Sequence, residues 1–203
     1  MNTIRLYAAA DLHGRQTCMD IVARQASRSE IQAVVLAGDL VHYHRGHAIM
    51  DRLAALPKPV YAVRGNTDPR RAERRMAASC GIHSLDFKRG QLHALPLVGI
   101  SGTLPIPFCS RIGWFEAQHL NRLAALTDSR TILVVHPPPW GIRDRVAGRW
   151  HAGSRGLRRL VQKASPAVLI CGHIHEAAGI EKLGRTLVVN CALGKRGQGA
   201  IIS

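Results

Sequence analysis

Five short apolar runs in this chain each lead into a side chain able to bind a metal ion, and no other feature of the sequence restricts the fold as much. The runs are Ile4 to Ala10, Ala33 to Ala37, Val60 to Val63, Thr131 to Val135 and Ala167 to Cys171. They are rich in β-branched residues and do not alternate with polar ones, the pattern of strands covered on both faces. The segments that follow them are Asp11-Leu12-His13, Gly38-Asp39, Gly65-Asn66-Thr67-Asp68, His136 and Gly172-His173-Ile174-His175. If the strands are neighbours in one sheet, their C-terminal ends share the edge where open α/β folds hold ligands, and all five segments meet in one cleft.

Such a cleft offers carboxylates at Asp11 and Asp39, an amide at Asn66, and imidazoles at His13, His136, His173 and His175. A single zinc site uses about three or four protein ligands, so this set is too large for one ion and suits two that share a bridge. Asp39 is the natural bridge. Oxygen and nitrogen donors without thiolate favour Mn²⁺, with Fe or Zn²⁺ as alternatives, over a soft metal or a bare Mg²⁺ site. Two ions so placed would clamp a phosphoryl group and lower the pKa of a shared water, whose hydroxide is the nucleophile. No Ser-His-Asp arrangement or phosphate-cradling P-loop competes with this reading. Gly38, Gly65 and Gly172 supply the tight turns that aim the adjacent donors inward.

The segments D-x-H, G-D, G-N-x-D, H-x-P (His136-Pro137-Pro138) and G-H-x-H stand in the order found in calcineurin-like metallophosphoesterases, and the chain resembles that family over most of its length. The stretches His136-Pro137-Pro138-Pro139-Trp140-Gly141 and Gly153-Ser154 through Glu176 look most like its compact bacterial and archaeal branch, associated with phosphodiester hydrolysis. The resemblance implies that Asp11, His13, Asp39 and His175 bind one metal, and Asp39, Asn66, His136 and His173 the other. It also implies a four-layer α/β/β/α sandwich of two mixed sheets flanked by helices.

One position departs from the family. Its third segment is usually G-N-H followed by an acid, and here Thr67 replaces the histidine that protonates or stabilises the leaving oxygen. A threonine hydroxyl cannot act as a general acid at neutral pH. His44 is the first candidate for a substitute acid and His42 the second, because both lie soon after Asp39 on a loop leaving the same strand edge. His151, in the arginine-rich loop after His136, is weaker. His83, His93 and His119 have no assigned role, and Asp68 either orients a ligand or caps the helix that follows it, the cap being the plainer reading. Two other functions remain open: a scaffold of the same fold that acts through protein contacts, and a nuclease.

The nuclease alternative draws on charge. Lys and Arg number 28 against 13 Asp and Glu, a formal net charge of +15, which attracts phosphate-bearing partners. The clusters are Arg70, Arg71, Arg74 and Arg75; Arg143, Arg145 and Arg149; Arg155, Arg158 and Arg159; and Lys195 with Arg196. No sequence-reading motif accompanies them, so they predict non-specific attraction to nucleic acid or another polyanion beside the phosphoester substrate, with solvated helix faces as the plainer reading.

At 203 residues the length suits one domain, residues 1–203, with a substantial core. No apolar run approaches the roughly 18 residues that span a bilayer, and removing an N-terminal signal would destroy Asp11 and His13, so no membrane and a cytoplasmic location are expected. Five cysteines without a C-x-x-C pair read as reduced thiols, Cys171 as the buried end of a strand. Helices are expected over Thr17 to Ser29, His47 to Leu56, Arg70 to Ser79, Trp114 to Leu126, where Trp114, Phe115, His119, Leu120 and Leu123 form a core stripe, and Arg155 to Lys163 capped by Ser154. Short strands around Leu92 to Leu95 and Leu97 to Ile100, and a hairpin over Gly179 to Asn190, imply a second sheet packed on the first.

Overall fold

Residues with almost no polar surface leave strands no alternative to burial on both faces, and the computed structural model of the protein shows how this is met. It describes residues 4–42, 47–103, 111–194 and 197–203, without the side chains of residues 47, 73 and 77. Strands β1 (Leu6–Ala9), β2 (Ala33–Ala37), β3 (Val60–Val63) and β4 (Ile82–Ser84) run parallel, and β13 (Ala200–Ile202) adds an antiparallel edge in the order β13-β1-β2-β3-β4. A second sheet has the order β11-β12-β10-β7-β6-β5. Its parallel centre comprises β6 (Leu95–Ile100), β7 (Ile132–Val135), β10 (Val168–Cys171) and β12 (Thr186–Asn190), with β5 (Arg89–Leu92) and β11 (Gly179–Leu183) antiparallel at the edges.

Alternation then sorts each strand between two cores. Leu6, Ala8, Val35 and Val63 from the first sheet meet Leu97, Ile132, Val134 and Ile170 from the second in a core between the sheets. The alternate residues Tyr7, Ala9, Val34 and Leu36 face α1 (Gln16–Ala26), α2 (His47–Ala54) and α3 (Arg70–Ala78). Leu133, Val135 and Leu169 face α4 (Glu116–Ala124) and α5 (Arg155–Ala164). The result is the α/β/β/α sandwich expected. The five ligand-bearing strands, however, do not share one sheet: β1, β2 and β3 lie in the first, β7 and β10 in the second. The segments converge because both sheets turn their C-terminal edges to the same seam.

Local differences have simple causes. Helix α4 begins at Glu116, so Trp114 and Phe115 precede it and stand 81% and 69% exposed, while Leu120 and Leu123 alone carry the predicted stripe into the core. Ser154 caps α5 as expected, its Oγ accepting from Leu157 N at 2.9 Å. A hairpin of two-residue strands, β8 (Arg145–Val146) and β9 (Trp150–His151), forms in the arginine-rich loop, too short for periodicity to announce. Cys18, Cys171 and Cys191 are buried free thiols and Cys80 is an exposed one. No helix among the described residues is long and apolar enough to cross a membrane.

Candidate metal centre

Register aligns the motif segments before any side chain is considered. Ala9 of β1 pairs with Leu36 of β2, and Ala37 with Val63 of β3, so Asp11, Asp39 and Asn66 leave their strands at the same level. In the second sheet Val134 pairs with Ile170, which levels His136 with His173. Four of these residues also adopt left-handed backbone: Asp11 (φ 62°), His13 (φ 49°), Asp39 (φ 54°) and His173 (φ 70°). L-residues avoid that region at a cost of about 1–2 kcal/mol each, and such strain concentrates at functional sites.

The seven predicted donors form one continuous group. His175 Nε2 lies 3.1 Å from Asp11 Oδ1 and 3.4 Å from His13 Nε2. His13 Nε2 is 3.8 Å from Asp39 Oδ2, which is 3.4 Å from His136 Nε2. His136 Nε2 in turn lies 2.9 Å from Asn66 Oδ1 and 3.2 Å from His173 Nδ1. Donor atoms of Asp11, His13 and His175, and separately of Asp11, Asp39 and His136, fall within 4.8 Å of one another. Asp11 therefore stands between the two halves as well as Asp39, which sequence reasoning names alone as the bridge.

Both carboxylates are divided in the same way. Asp11 Oδ2 accepts from His173 N at 2.9 Å, and its buried Oδ1 faces His175 Nε2 at 3.1 Å. Asp39 Oδ1 accepts from Thr67 N at 2.8 Å, and Oδ2 faces His13 and His136. In each case the backbone fixes one oxygen and the other turns into the cluster. His136 is oriented likewise: Nδ1 lies 2.8 Å from Ala37 O, so that nitrogen donates and Nε2 turns toward the group. Two buried carboxylate oxygens turned toward imidazole nitrogens form a donor set that fits divalent cations.

Electrostatics follow from burial. Burial opposes charge on both Asp39 and His136, yet their proximity overrides it, holding the Asp39 carboxyl well below the usual range and raising the His136 imidazole. Burial, with His136 alongside, pushes His173 down to about 4, so it is a neutral imidazole at neutral pH. His13 is also lowered by burial, whereas a hydrogen bond to Asp11 raises His175.

The calcineurin-like phosphoesterase superfamily domain matches residues 4–197. The chain belongs to that superfamily. An uncharacterized protein of Methanocaldococcus jannaschii is 26% identical over 196 residues, covering 92% of this chain and 87% of the relative. The structure of TT1561 of Thermus thermophilus has a TM-score of 0.71 at 17% identity, covering 94% of this chain and 90% of that one. An archaeal phosphodiesterase has a TM-score of 0.56 at 14% identity, covering 93% and 84%. These two structural likenesses bear on the fold.

As a calcineurin-like phosphoesterase, the chain is a hydrolase of a family that typically uses divalent metals. Its departure at Thr67 has a visible setting: besides the backbone bond to Asp39, Thr67 Oγ1 lies 3.4 Å from His13 Nδ1. Of the histidines considered as substitute acids, His44 lies outside the described residues. His42 lines a small cavity with Met50, Pro69 and Ala72, and His151 Nδ1 bonds Asp144 Oδ1 at 2.6 Å. Lys195 and Arg196 lie outside the described residues, while Arg70, Arg71, Arg74 and Arg75 form the exposed face of α3.

Asp68 corrects the sequence reading. Helix α3 has Pro69 at its N-cap and no side-chain cap. The buried Asp68 carboxylate instead accepts from Leu40 N at 3.1 Å, Val41 N at 2.8 Å and Gly65 N at 2.9 Å, locking the Asp39 loop to the Asn66 loop. Burial and the nearby Asp39 charge raise its pKa to about 6 against these three bonds. Only the proximity of the two loops, which no local pattern encodes, makes this role visible. Asp68→Ala would strand three buried N–H groups, each worth about 1–3 kcal/mol. Its thermal midpoint should fall by roughly 6 °C or more, and calorimetry showing an unchanged midpoint would refute the role.

Proposed function

We propose that this chain is a cytoplasmic phosphodiesterase, one domain over residues 1–203, that works with two divalent metal ions, Mn²⁺ first among them. The observation that supports it is the division of Asp11 and Asp39, each with one oxygen fixed by backbone and the other facing imidazoles. In this reading Asp11, His13 and His175 hold one ion, Asn66, His136 and His173 the other, and Asp39 serves both. When bound, such ions supply Lewis-acid stabilisation of phosphoryl oxygens and acidify water.

The chain's own residues set the rest. His136 is oriented by Ala37 O, and His173 is kept neutral by burial, so His173 presents a lone pair without first losing a proton, whereas His136, raised by Asp39, must first release one. Arg15 donates to the carbonyls of Asp11 at 2.9 Å and Leu12 at 3.2 Å, steadying the first loop. Thr67 offers no acid, so the leaving oxygen must depart unaided or be protonated by another group, His44 first.

Metal analysis with a substrate panel tests this. Protein supplied with Mn²⁺ should bind about two ions per chain and hydrolyse bis-p-nitrophenyl phosphate. Alkyl diesters should be much slower, because alkoxides leave poorly without an acid. His44→Ala should slow an alkyl diester about 10²-fold and an aryl diester far less. Equal small losses on both would remove His44 from the mechanism, and failure to bind metal or turn over any diester would overturn the assignment.

A further inference from the structure

Two of the chain's three tryptophans line one feature outside the candidate metal centre. Trp140 and Trp150, with Arg149 and His151, border an open cleft of about 630 Å³. Trp150 is 60% exposed, although burying a side chain of this size would gain about 1.5–3 kcal/mol or more. Single exposed apolar residues need no explanation; paired indoles in a concavity do.

The cleft is built rather than incidental. Buried Asp144 accepts from Gly141 N and Gly153 N, both at 2.9 Å, and bonds His151 Nδ1 at 2.6 Å, fastening both ends of the excursion that carries the tryptophans. The Arg155 guanidinium lies 4.3 Å over the Trp140 ring, and the His151 ring is tilted against it at 5.4 Å. Trp140 is thus a fixed floor and Trp150 a free plate. The loop starts four residues beyond His136, and Ala147 N donates to Glu176 Oε1 at 2.9 Å, seating the hairpin on the turn that begins at His175.

Charge decides what fits. Arg149 and Arg155 are exposed beside the indoles on a chain of net charge +15. A flat, polyanionic partner satisfies both features, since bases stack on aromatic rings regardless of sequence while arginines track the phosphates. A bilayer surface is met by projecting apolar residues, whereas these indoles line a concavity and one carries a guanidinium on its face. We propose that the Trp140–Trp150 cleft is a base-stacking site that binds single-stranded nucleic acid beside the metal centre. It rests on the phosphodiesterase reading for its purpose and makes polynucleotides the substrate class.

Fluorescence anisotropy with a short labelled oligothymidylate, an abasic strand of equal length and anionic phospholipid vesicles tests it on the full chain. Trp150→Ala should weaken oligothymidylate binding about tenfold or more, without changing the thermal midpoint, and Trp150→Phe should retain most of the affinity. The parent should bind the abasic strand as weakly as the alanine variant binds the normal one. Arg149→Ala should lower the salt dependence by about one ion. Equal affinity for normal and abasic strands, parental affinity in Trp150→Ala, or Trp150-dependent binding to vesicles in preference to the strand would each overturn the site. A chain that binds through Trp150 yet cleaves no phosphoester upholds this site and removes the catalytic reading. One that cleaves small diesters while binding ignores Trp150 and the bases does the reverse.

Discussion

If Asp39 serves two cations as proposed, Asp39→Asn is expected to lower turnover of bis-p-nitrophenyl phosphate by at least about 10³-fold, because removing that charge would forfeit several kcal/mol of transition-state stabilisation. Asparagine suits the backbone of the position. It tolerates the left-handed backbone at φ 54°, and its side-chain oxygen can still accept from Thr67 N at 2.8 Å. What disappears is the negative oxygen 3.4 Å from His136 and 3.8 Å from His13. Elemental analysis should find bound metal falling from about two ions per chain to one or fewer. A fully active variant would dismiss the shared role of Asp39.

Gly38→Ala tests the same loop from its backbone. Gly38 has φ +91°, and a Cβ there would lie 2.7 Å from His136 Nδ1, the nitrogen bonded to Ala37 O, and 2.8 Å from Gly65 N. No rotamer relieves a clash at Cβ, so the Asp39 loop, the Asn66 loop or the imidazole must move. Backbone strain and overpacking together should cost about 2–4 kcal/mol, a fall of roughly 4–16 °C in thermal midpoint for a chain of this size, with activity lost at temperatures where the variant is still folded. Gly184→Ala provides the comparison: φ is +60° but none of the described residues lies within 4 Å of a Cβ there. It should lose only the strain component, about 1 kcal/mol. Equal losses in the two variants would show that the contact with His136 carries no weight.

The legible part of this protein is the part written locally. Each donor follows its strand within a few residues, so Asp11, Asp39 and His136 could be placed at strand ends, and the structure gathers them with His13, Asn66, His173 and His175. The sandwich followed from double-sided strands plus the extra apolar pieces after Ile82. What stayed hidden depends on contacts between distant segments. The division of five similar strands between two sheets is a matter of pairing, since Val34 and Val134 look alike in sequence. Asp68 resembled a helix cap because the amides it serves at Leu40 and Val41 are far away in the chain. Trp114 and Phe115 fell at helical spacing, yet the helix starts after them.

The division of the sheets has a mechanical consequence. Asp39 with His136, and Asp11 with His175, are contacts across the seam, one partner anchored in each sheet. A cation held by such pairs acts as a rivet. Its binding energy opposes separation of the two halves of the sandwich instead of merely stiffening a loop, and so adds to the global resistance to unfolding. Amide protons deep in β2 and β7, belonging to different sheets, would then slow their exchange together when metal is added and quicken together under a chelator. In the parent chain, a loaded site would then tie metal occupancy to the integrity of the whole molecule.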